Sequence, residues 1–147
     1  MRNEIAFTFM VVSVGCARAP HIEGQAYFRQ AISFCEMMKH RDRYVGQEVM
    51  VHGLYIMTPH RGEIFGAECD YDSISLRGDA TVSRDKRVWS VIARASKQTH
   101  GARVPIVAKG ILRAWSGPGI TTTDNQVWLE HAQVVAADGE HVIRPPD

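Results

Sequence analysis

The 147-residue chain reads as a mainly β domain, a small closed barrel that carries helices, and three observations say so. Five segments have strand composition, and a helical segment separates the third from the fourth. Two of those strands share one pattern, apolar-x-apolar-x-Gly-apolar: Val49-Met50-Val51-His52-Gly53-Leu54 and Ile106-Val107-Ala108-Lys109-Gly110-Ile111. A glycine inside a strand marks a bulge or bend, and a bent strand can serve two regions of one sheet, as a small barrel requires. Third, 45% apolar and 22% charged residues at this length suit one domain with a core of its own. The same figures exclude a multidomain enzyme, a fibrous chain and wholesale disorder.

Residues 1–19 stand apart. Arg2 precedes an apolar run from Ile5 to Gly15, broken only by Thr8 and Ser13, and small residues follow. These are the zones of a secretory signal peptide, and the run is shorter than the roughly 20 residues a membrane span needs. Val14-Gly15-Cys16 looks like a bacterial lipobox, which would make Cys16 the lipidated mature N-terminus, although Ser13 stands where Leu is usual. Cleavage after the small-x-small site Ala17-Arg18-Ala19 is the rival, with Pro20 unfavourable for the protease; a short buried element is the bland alternative, and Glu4 fits it. The expected location is therefore the periplasm or a membrane to which lipid holds the chain.

Next, residues 25–40 have helical spacing, with Phe28, Ala31, Ile32 and Cys35 on one face. Lys39, His40, Arg41 and Arg43 crowd the end where cations suit the helix dipole. Strands are expected over residues 48–57, 63–69 and 73–77, joined by turns at 58–62 and 70–72. Ser83 suits the N-cap of a second helix running to Gln98, with Asp85 in its first turn. Its apolar face is Val88, Val91, Ile92 and Ala95, with Trp89 at the edge. Strands follow at 104–115 and 127–136, on either side of the strong turn signal Ser116-Gly117-Pro118-Gly119. Thr121 to Thr123 extend that hairpin or belong to its loop, and the tail from Arg144 to Asp147 reads as frayed. The domain spans residues 25–143 without a linker.

Three cysteines remain to be placed: Cys16, Cys35 and Cys69. If Cys16 carries lipid or leaves with the leader, Cys35 and Cys69 can pair in an oxidising compartment. Closing that loop would contribute about 3–4 kcal/mol. Two small buried thiols are the alternative.

Three strands, a helix and two strands is the element order of the OB-fold, a five-stranded Greek-key barrel. More narrowly, Phe34-Cys35-Glu36-Met37-Met38 leads into Tyr44-Val45-Gly46-Gln47-Glu48-Val49-Met50-Val51-His52-Gly53. This resembles a pattern of small exported or lipoprotein OB-like domains of bacteria, in which a short Cys-bearing helix precedes Tyr-x-Gly-x-x-Val-x-Val-x-Gly. The likeness spans residues 30–136 by architecture and 34–53 by motif. It implies an OB-like barrel with an extra N-terminal helix, and it brings no catalytic residues. An SH3-like barrel and an α+β sandwich are the rival architectures.

A net charge of +1 gives the chain no global field for nucleic acid or anionic lipid. Within residues 83–115, however, Arg84, Lys86, Arg87, Arg94, Lys97, Arg103, Lys109 and Arg113 face one acid, Asp85, a local +7. On a helical wheel Lys86, Arg87, Arg94 and Lys97 fall opposite the apolar stripe. That is either an anion-binding surface or the solvated face of an amphipathic helix. Bases of a single strand could stack on Tyr55, Phe65, Tyr71 or Trp115, but an exported protein rarely meets nucleic acid. His52, His60, Cys69, Asp70 and Asp72 lack zinc-site spacing, so no metal is expected. No nucleophile elbow, phosphate loop or dinucleotide fingerprint occurs, and a Cys69–His52 or Cys69–His60 pairing would be lost to a disulfide. The expectation is a non-catalytic binding module without cofactor, whose partner is an envelope protein or a small anionic ligand. Its first contact candidates are Tyr55, Phe65, Trp115, Arg87 and Arg94.

Overall fold

The computed structural model describes residues 21–57, 62–78, 85–115 and 127–145. The leader with Cys16, the turn containing His60, the expected N-cap Ser83, Arg84, and the hairpin segment with Gly117-Pro118-Gly119 and Thr121–Thr123 lie outside these residues.

The N-terminal region holds β1 (Ile22–Glu23), α1 (Gln25–Gln30), β2 (Ile32–Ser33), α2 (Phe34–Lys39) and α3 (Arg41–Tyr44). After it come β3 (Glu48–Met57), β4 (Gly62–Phe65), β5 (Ile74–Arg77), α4 (Lys86–Gln98), β6 (Val104–Ala114) and β7 (Val127–Asp138). Strands β3, β4, β5, β7 and β6 pair in that order, and β6 pairs back onto β3, closing a five-stranded barrel. All these pairings are antiparallel except β5 with β7. The helix α4 lies between the third and fourth barrel strands, so the OB-like barrel expected from the sequence fits.

Gly53 shows how the chain achieves closure. Before it, Val51 and His52 pair with β2; after it, Leu54 begins the pairing with β4, while β6 follows the other edge throughout. A Cβ at Gly53 would stand 2.7 Å from the carbonyl oxygen of Phe65, so only glycine permits the changeover. One of the two register breaks falls at Gly110, as a glycine inside a strand predicts, and none is found at Gly53. Both lie in the β6–β7 pairing, between Val107 and Ala108 and between Lys109 and Ile111, and they place the extra residues on β7. At the second break His131 takes a φ of 53°, the left-handed conformation that a bulge residue adopts.

The single helix expected over residues 25–40 is two helices, with a third turn of helix behind them. Ala31 is extended, with ψ of 142°, and Ser33 then caps α2 by accepting a hydrogen bond from the Glu36 amide at 3.1 Å. The break changes the buried face. Phe34, Met37 and Met38 enter the core, while Phe28, Ala31, Ile32 and Cys35 are only partly buried. Helix α4 starts at Asp85, whose carboxylate accepts from the Arg87 amide at 2.8 Å, two residues after the Ser83 expected to do so. Its buried stripe is Val88, Val91, Ile92 and Ala95, as the spacing predicts. These four side chains plug the barrel core formed by Val51, Tyr55, Ile64, Ile74, Ile106 and Leu129.

Both ends of the domain are tied down. Ile22 and Glu23 pair with Asp138 and Ala137, extending the sheet by two residues the sequence did not mark as strand. At the other end Ile143 exchanges two 2.9 Å backbone hydrogen bonds with Arg103, so the tail is anchored to within a residue of Arg144.

Candidate functional site

Cys35 and Cys69 form a disulfide, with their Cα atoms 5.8 Å apart. It ties the start of α2 to the segment after β4. Gly66 makes room for it: a Cβ there would collide with the sulfurs of Cys35 and Cys69 and with the ring of Phe34. Cys69 is thereby closed as a nucleophile or metal ligand for His52. Among the described residues no group of three or more His, Cys, Asp or Glu side chains could hold a metal ion.

A mainly apolar cavity of about 200 Å³ opens beside the disulfide. Phe28, Phe34, Leu54 and Pro105 supply its apolar wall, and His52 and Glu68 its polar rim. It exists because α1 and α2 are separate: one continuous helix could not turn Phe28 and Phe34 toward the same hollow.

The five contact candidates do not converge. Tyr55 is 1% exposed, and burial raises its phenol above the ordinary tyrosine range; it is a core residue and presents no face to a ligand. Strand alternation from the buried Val49 and Val51 already points Tyr55 inward; it is Leu54, buried out of phase just after Gly53, that departs from the pattern. Phe65 is partly buried at the end of β4, with the Arg103 guanidinium 5.4 Å from its ring centre. Trp115 is 53% exposed but follows the end of β6 remote from Val104, the residue that pairs with Tyr55. Another cation–aromatic contact, Arg77 over Trp128 at 4.4 Å, lies on the β5–β7 face. Tyr71 is exposed.

Arg87 stays on the solvated face expected for it, whereas Arg94 does not. Arg87 reaches Asp85 at 3.1 Å and Glu23 of β1 at 3.3 Å. Hydrogen bonding to Arg87 holds the Asp85 carboxyl below its ordinary range, and Asp85 in turn holds Arg87 above its own. Arg94 is partly buried and adjoins the apolar stripe; with Val91 and Ala95 it lines a second cavity, of about 110 Å³. The opposite walls are His21, Gly139, Val142 and Arg144, and Gln98 and Thr99 complete the helix side. Thus α4, the start of the domain and its tail meet around one hollow with three basic side chains. Neither His21 nor Arg144 stood out in the sequence. The usable signal for the tail was the apolar pair Val142-Ile143 before Pro145, which marks a segment with something to bury.

Beside this cavity, the turn after β7 is organised by Asp138. Its carboxylate accepts from the amides of Glu140 and His141 at 2.8 and 3.0 Å and lies 2.8 Å from His141 Nδ1. That hydrogen bond, with the charge behind it, raises the His141 pKa above the ordinary histidine value.

Among the described residues no helix is long and apolar enough to cross a membrane. No family model, curated protein or solved structure matches the chain.

Proposed function

We propose that the protein is a non-catalytic binding module of the cell envelope, exported by its leader and held to a membrane by lipid on Cys16. The Cys35–Cys69 disulfide carries this reading. It is compatible with an oxidising exported compartment, and it accounts for two of three cysteines, leaving Cys16 inside the lipobox-like Val14-Gly15-Cys16. The binding role is supported by two hollows of different chemistry, one apolar beside the disulfide and one basic beside α4. The nucleic-acid alternative loses one of its four aromatic candidates with Tyr55 in the core, and Arg87 is engaged by two acids.

Fractionation of cells expressing the full chain tests the proposal. Wild-type protein is expected in the membrane pellet, released by detergent and not by salt, and Cys16→Ser is expected to leave that pellet. A variant and wild type that both sit in the cytosolic fraction would sink the reading.

A further inference from the structure

We infer that the cavity between α4 and the C-terminal tail binds a small phosphate-type oxyanion, free or at the end of a larger ligand. This deepens the binding-module reading and rests on its binding half, not on export. The cavity collects His21 from the first described segment, Arg94 from the flank of α4 and Arg144 from the tail. Thr99 and Gln98 add a hydroxyl and an amide at its helix side. Two arginines from separate segments line it, each with a planar donor fork of the kind that suits an oxyanion and a charge that together suits a dianion.

The walls are set before any ligand arrives. The first segment is paired to β7, Gly139 donates its amide to the His21 carbonyl at 3.1 Å, and the Ile143–Arg103 bridge fixes the residue preceding Arg144. Preformed walls reduce the ordering cost of binding. At Gly139 a Cβ would lie 3.1 Å from both the His21 oxygen and a Val91 methyl group, so this wall is a close backbone approach.

The acids near the cavity have partners of their own. Glu23 and Asp85 are both engaged by Arg87, at 3.3 and 3.1 Å, and Asp138 by the amides of its own turn; Glu140 is exposed. Arg144 has no ion pair among the described residues. Size sets the ligand class. About 110 Å³ holds several waters or one small anion and is well below the roughly 300 Å³ at which whole-molecule ligand pockets begin. A nucleotide therefore would not enter, but a terminal phosphate would.

The test is calorimetric titration of inorganic phosphate into the isolated protein, with amide chemical shifts followed at Thr99, Gly139 and Val142. A parallel arm sediments the protein with vesicles of phosphatidylglycerol and of phosphatidylcholine. The expected result is saturable phosphate binding that shifts those amides. Arg144→Ala should weaken it at least tenfold, Arg94→Ala likewise, and Lys86→Ala, on the exposed first turn of α4, should leave it unchanged. Arg144→Ala alters only an exposed tail side chain, so its loss of binding is readable even if Arg94→Ala folds poorly. Arginine-dependent binding to phosphatidylglycerol vesicles alone would assign the phosphate to a lipid headgroup. Binding in neither arm, or binding indifferent to both arginines, would overturn the inference. Those outcomes leave Cys16-dependent membrane anchoring standing, and a cytosolic wild type would leave the oxyanion site standing.

Discussion

The two flanks of the barrel are held by different physics. On one side α2 is joined to the segment after β4 by a covalent bond, seated on Gly66 and backed by the buried Phe34, Met37 and Met38. On the other, α4, β1 and the tail meet through hydrogen bonds and partly solvated ion pairs: Arg87 with Glu23, His21 with Glu23, Asp138 with its own turn, and Ile143 with Arg103. The covalent side resists salt and acid and depends on the redox state. The polar side depends on solution conditions, and there the packing leaves a hollow lined by Arg94 and Arg144.

The largest effect comes from cutting the covalent side. Replacing Cys35 and Cys69 together by Ala should lower unfolding free energy by about 3–4 kcal/mol, the entropy regained by freeing a loop of this length. The measurement is a denaturant midpoint, and wild-type protein unfolded in the presence of a reducing dithiol should show the same loss. An unchanged midpoint would mean that the bond constrains nothing.

The polar side should respond less, and in order. Asp138→Ala strips two backbone amides and an imidazole of their acceptor, and should cost about 1–2 kcal/mol. His141→Gln should cost less, and its signature is in the pH dependence. The His141 pKa is raised in the fold, so the charged ring adds stability below the ordinary histidine value near 6.5, and that stability is lost as pH rises through the raised value. The difference in melting temperature between wild type and His141→Gln should therefore be larger at pH 5.5 than at pH 8.5, and should shrink with added salt because the side chain is exposed. A difference that grows with pH would reverse the assignment.

What the sequence made legible follows from the same contrast. The barrel strands and the α4 stripe depend on local periodicity and on glycines at bends, and both are printed in consecutive residues. The broken N-terminal helix was within reach, because Ser33 followed three residues later by Glu36 is a helix-start signature. Phe28, Ala31, Ile32 and Cys35 at helical spacing concealed it. The burial of Tyr55 was also within reach, since it alternates in phase with Val49 and Val51, whereas that of Leu54, out of phase after Gly53, was not. The basic cavity was equally hidden. It joins His21 to Arg144 across nearly the whole domain, through backbone pairings that no short-range pattern encodes. For the cysteines, counting gave the possible pair, and only the fold brought their Cα atoms within bonding reach.

The mass of the mature chain recovered from its native cell, measured with and without reduction and alkylation, bears most directly on the envelope assignment. The account predicts a polypeptide that begins at an acylated Cys16, contains no free thiol, and takes up two alkyl groups only after reduction. A chain that retains Met1 and is alkylated at Cys16, Cys35 and Cys69 without reduction would contradict it.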